Sequence, residues 1–150
     1  MNKLFATTDN SALTVLRLGL GIVFFAHGAQ KALGWFGGAG FSGTMHMFEQ
    51  YMGVPAVFAV LAILAEFLGG IGLILGCLAR VAAFGIMVNM LVAIFKVHAQ
   101  FGFFANWSGT KKGEGFEFHL LAIAALLAIL IGGAGALSVD RVIARRARPA

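Results

Sequence analysis

The sequence is short of charge and nearly without cysteine. Of its 150 residues only 11% are charged against 60% apolar. With a mean hydropathy of +0.92, that composition excludes an ordinary soluble domain and makes lipid the expected solvent. The single cysteine, Cys77, excludes an intramolecular disulfide and a Cys-x-x-Cys redox pair. Any redox chemistry here needs its electrons carried by another group. The net charge of +5 does not form a basic face with interleaved aromatics, so nucleic acid is not an expected partner. Four of the cations, Arg141, Arg145, Arg146 and Arg148, sit in the tail. There they read as a topology signal and a contact for anionic lipid.

What is present is apolar sequence in long runs. A helix needs ~20 apolar residues to cross a ~30 Å hydrocarbon core, and four such runs are found at about 12–33, 55–78, 81–97 and 116–137. The expected fold is all-α: one integral membrane four-helix bundle over residues 1–150. The first run is long and three more follow it, so it does not read as a cleaved signal. Between the first and second spans, a glycine-rich stretch precedes Met45, Phe48 and Met52, which recur at helical spacing. That stripe predicts a short interfacial helix. Lys3, Arg80 and the tail arginines flank one side of the membrane, and Lys31, Lys96, Lys111 and Lys112 the other. The excess favours cytoplasmic termini.

Polar groups at membrane depth are costly and mark candidate sites. Arg17, Gly21, Phe24, Gly28 and Lys31 fall along one stripe of the first helix, with His27 on its flank. Glu66 lies near the middle of the second span, and an ion pair between Arg17 and Glu66 is expected, either as part of a site or only to fix helix packing. Asn89 and Lys96 share a face of the third helix, where Asn89 also suits interhelical bonding. His98 joins them only if that helix ends near Lys96. The expected pocket is therefore Arg17, His27, Lys31, Glu66, Asn89, Lys96 and His98. Glu117 reads as a helix cap, with His119 pointing elsewhere.

No two of the four histidines are spaced as local metal ligands, so no metal site is expected. Two could meet across the bundle around a haem, the less favoured cofactor reading. Gly38, Gly40 and Gly43 match G-x-G-x-x-G, but without a preceding strand they imply no dinucleotide site. Gly69, Gly70, Gly72 and Gly76, with Gly132 and Gly133, give small faces for internal packing or a partner subunit.

Three segments carry a family resemblance: L-R-L-G-L-G-I-V-F-F-A-H-G-A-Q-K at 16–31, A-E-F-L-G-G at 65–70 and L-S-V-D at 137–140. Together they resemble the DoxX family of small bacterial inner-membrane proteins over nearly the whole chain, most specifically from Arg17 through His27 and Gly28 to Lys31. The resemblance implies a four-helix bundle in the bacterial cytoplasmic membrane, association with redox or oxidative-stress systems, and Arg17, His27, Lys31 and Glu66 as site residues.

The resulting expectation is a membrane component of a redox system whose pocket takes a quinone or small anion. Since the sequence supplies no dithiol, flavin motif or metal site, a partner protein would donate electrons. No catalytic residue is assigned. The alternatives are a small-solute or proton transporter, which could act as a homo-oligomer, and a non-catalytic adaptor that stabilises a partner subunit through the glycine faces.

Overall fold

The structure is a computed structural model that describes residues 3–146; Arg148 of the tail cluster lies outside them. Among the described residues the secondary structure is entirely helical. The helices are α1 (Ser11–Leu33), α2 (Gly40–His46), α3 (Ala56–Leu75), α4 (Ala79–Ala93), α5 (Glu117–Gly132) and α6 (Val139–Arg146). Three stretches are long and apolar enough to cross a membrane: Ser11–Leu33, Ala56–Leu75, and Ala79–Phe101. The last of these continues α4 through a wider π-helical turn, Ile94–His98, and a short 3-10 turn, Ala99–Phe101. α5 is apolar but shorter, at 16 residues.

α1 begins where the Asn10 side chain accepts the Ala12 N–H at 2.8 Å, a helix N-cap. It ends at Gly34, whose φ of 74° is the left-handed conformation that favours glycine. α1 and α3 pack closely in antiparallel register, which the glycines fix. A Cβ at Gly21 would lie 2.8 Å from the Ile74 backbone nitrogen, and one at Gly28 or Gly70 would strike the backbone of the facing helix. The backbones therefore touch, as small residues allow in lipid.

A tight turn at Gly76 reverses the chain into α4, and α4 runs antiparallel to α5. Arg80, at the start of α4, reaches the carbonyls of Leu130 and Ile131 at the end of α5. At the other end, His98 meets His119 in the first turn of α5. Phe24, Leu73, Ile86, Leu126 and Ile129 fill the main core. A smaller cluster seats Phe48 on Ala59 and Ile63, with Met45 and Met52 alongside. The apolar stripe of the connecting segment thus faces the protein itself, while Phe41, Met47 and Tyr51 are exposed.

The last apolar run is helical only to Gly132, five residues short of the expected end. Gly133 and Gly135 both adopt φ of 82°, which turns the chain out of the helix. Its carbonyls are then free to accept the Arg17 guanidinium.

Candidate functional site

Arg17 is 2% exposed and is spent on backbone carbonyls. Its Nε donates to Ala134 O at 2.8 Å, Nη1 to Leu73 O at 2.7 Å and to Ile74 O at 2.5 Å, and Nη2 to Leu137 O. Leu73 and Ile74 end α3, where carbonyls have no intrahelical donor. The fork of a guanidinium suits several acceptors at once. Nearby, the Asp140 carboxylate accepts the N–H groups of Leu78 and Ala79 at 2.8 and 2.9 Å, capping the start of α4. Arg80 and Arg141 act similarly at the same end of the molecule, on Ala6, Leu130 and Ile131 and on Ala136, with Arg141 also paired to Asp9.

The expected ion pair between Arg17 and Glu66 is therefore not formed. The glycine register explains why. Gly21 lies against Ile74 and Gly28 against Phe67, so Glu66 faces the part of α1 just past Gly28, and Arg17 faces the end of α3. The Glu66 partner is Lys31, fourteen residues and ~21 Å of helix from Arg17 at ~1.5 Å per residue.

Glu66 is 3% exposed with both oxygens engaged. Oε2 is paired with Lys31 Nζ, and Oε1 accepts from Asn89 Nδ2 at 2.7 Å. Helices α1, α3 and α4 each contribute one member of this cluster. A buried carboxylate held by a cation and an amide donor meets the condition under which a charge is tolerated away from water.

The cluster opens onto a cleft of 1520 Å³ whose walls are mainly apolar residues of α3 and α4. His27, Lys31, Glu66, Asn89, Lys96 and His98 all line it, whereas Arg17 does not. Lys96 and His27 are exposed. His98 reaches the cleft because the α-helical path stops at Ala93 and the π-helical turn changes the facing of the residues that follow. Its Nδ1 donates to the Glu114 backbone oxygen at 2.8 Å, which in the neutral ring leaves the other nitrogen an acceptor.

His119 also lines the cleft, contrary to the sequence expectation. Its ring centroid lies 4.1 Å from that of His98, a contact that leaves no space for a porphyrin plane between them. The sequence signal for this meeting is antiparallel pairing of the end of the third span with the start of the fourth. Glu117, expected as a cap, instead ties down the preceding loop: Oε1 accepts from Ala105 N and Trp107 Nε1, both at 2.9 Å. Among the described residues, no group of three or more His, Cys, Asp or Glu side chains is placed to hold a metal ion.

The glycine faces are occupied by the chain itself. A Cβ at Gly76 would strike Ser138 and Arg17, one at Gly69 would press on Ile86, and one at Gly132 would meet Leu13. They serve internal packing.

Apolar helices of spanning length, with a buried charge cluster facing a lateral cleft, define a multi-pass membrane protein. The chain belongs to the DoxX family, whose model matches residues 12–99. It is 32% identical over 113 residues to the inner membrane protein YqjF of Escherichia coli, a match that covers 75% of this chain and 82% of that protein. No solved structure matches the chain.

Proposed function

We propose that the chain is a single-domain protein of the bacterial cytoplasmic membrane that crosses it four times, with both termini in the cytoplasm, and serves as a membrane component of a redox or oxidative-stress system. The cleft takes the headgroup of a quinone or a small anion. The observation that carries this reading is the Lys31–Glu66–Asn89 cluster, which draws one polar side chain from each of three helices to a single point on an otherwise apolar cleft. Charges at such depth are rare outside sites, and apolar walls with a few convergent polar groups are the usual make-up of a ligand pocket. Lys31 and His27 would hydrogen-bond a headgroup oxygen, and Glu66 would exchange a proton with it. A membrane partner protein supplies the electrons.

The fourth crossing is α5. Its 16 residues span ~24 Å, short of a ~30 Å core. Phe116 before it and the apolar segment from Gly133 to Leu137 after it extend the run, and local thinning accommodates the remainder. The inner-membrane location agrees with the name of the E. coli relative. The arginine-rich end, with Arg80, Arg141, Arg145 and Arg146, is the cytoplasmic one by the positive-inside rule.

The test is a mass-spectrometric and optical inventory of small molecules retained by gently purified protein, compared with Lys31→Ala and His27→Ala. A quinone or anion present in the wild type and lost from the variants is the expected result. A cleft that retains nothing beyond bulk lipid in all three would contradict the reading.

A further inference from the structure

Both oxygens of Glu66 are engaged, but a histidine nitrogen in the same cleft is not. Nδ1 of His119 is the buried side-chain nitrogen or oxygen, among the described residues, that has no hydrogen-bond partner. The residue itself is 8% exposed. Leaving such a group unpaired in a dry interior is unfavourable and calls for an explanation. The ring packed on it belongs to His98, and a carbonyl can only accept, so Nδ1 of His98 carries the proton donated to Glu114, which in the neutral ring leaves the remaining nitrogen an acceptor. His98 ends a π-helical turn and this single hydrogen bond is its tether. Rotation of the His98 ring about this tether is the movement that would open space between the two rings, which lie 4.1 Å apart.

We propose that His98 and His119 form a second hydrogen-bonding station in the cleft, which takes a hydroxyl group of a lipid-soluble ligand between the two rings. A hydroxyl is the matching chemistry because it both donates and accepts. It can donate its one hydrogen to the free nitrogen of His98 while its oxygen accepts from His119 in the tautomer that carries the proton on Nδ1. A carbonyl, which only accepts, leaves His98 unsatisfied. The apolar neighbours Phe24 and Phe118, whose rings lie 6.4 Å apart, suit an uncharged ligand body. This inference rests on the reading of the cleft as a ligand site, but not on the Glu66 cluster being its anchor.

The experiment uses the full chain in lipid nanodiscs with two probes that differ in this chemistry, decylubiquinol and decylubiquinone, and the variants His119→Phe and Lys31→Met. Phe keeps the ring and removes the unpartnered nitrogen. The wild type is expected to bind the quinol at least ~10-fold more tightly than the quinone, a difference of ~1.4 kcal/mol. His119→Phe abolishes that preference while its melting temperature is unchanged or raised. Loss of the preference in His119→Phe, with binding of the quinone retained, supports this station, and Lys31→Met reports separately on the Glu66 cluster. Equal preference in wild type and His119→Phe overturns the inference and leaves the cleft reading standing. If the wild type binds neither probe, both fall.

Discussion

Arg17 and Glu66 carry comparable burial and opposite charge, yet the structure gives them separate tasks. Arg17 closes the end of α3 and the segment after α5 through four carbonyls; Glu66 belongs to the cleft. Arg17→Ala strands those carbonyls, and a loss of at least about 1 to 3 kcal/mol is expected, the cost of leaving a buried polar group unsatisfied. Chemical or thermal unfolding in detergent measures it. A double-mutant cycle separates the two sites: Arg17→Ala and Glu66→Ala should be additive within ~0.5 kcal/mol, whereas Lys31→Ala and Glu66→Ala should couple by more than that. That Arg17 and Glu66 are buried polar groups was legible from their place in apolar runs. Their partners were not, because pairing depends on register, and register is set by glycine contacts between helices that no single-helix periodicity reports.

Among the elements, the α1–α3 contact decides where the cleft residues meet. Gly28 is the tight point, since a Cβ there would strike the backbone of Phe67 and Glu66. Gly28→Ala should force the helices apart, cost about 1 to 3 kcal/mol and weaken the approach of Lys31 to Glu66. Gly19, on the same helix, has nothing within 4 Å of an added Cβ. Gly19→Ala should be neutral or stabilise by roughly 0.5 to 1 kcal/mol through helix propensity. Comparing the two variants in one unfolding assay checks the register directly. The helices themselves were legible from their apolar runs, with ends close to those observed for α1 and α3. The misread end of α5 has a local cause: the sequence at 133–137 is still apolar, but arginine side chains from α1 and α6, Arg17 and Arg141, take the carbonyls of Ala134, Leu137 and Ala136, and two glycines allow the turn. The swing of His98 came from a π-helical turn, which sequence periodicity built on 3.6 residues cannot anticipate.

At the scale of the whole molecule, the two ends differ in chemistry. One end is held by Arg17, Arg80 and Arg141 on carbonyls and acids. At the other lie exposed aromatics including Trp35, Tyr51, Phe104 and Trp107, the last 90% exposed, as aromatic residues do at a membrane interface. With the arginine end cytoplasmic, a cysteine placed at Lys112 in a Cys77→Ser background should react with an impermeant thiol reagent added outside intact cells, and one at Arg145 should not. The opposite labelling pattern would invert the orientation.

The central claim is that the Glu66 cluster serves a ligand and is not merely a packing device, and the double variant Lys31→Met/Glu66→Leu tests it most directly. Replacing both members of a buried pair with apolar residues of similar size is often neutral or stabilising, so the variant should fold at least as well as the wild type. The measurement is the affinity of nanodisc-embedded protein for decylubiquinone. A loss of at least ~10-fold with unchanged melting is the predicted result; binding as tight as in the wild type would show that the pair only holds helices together.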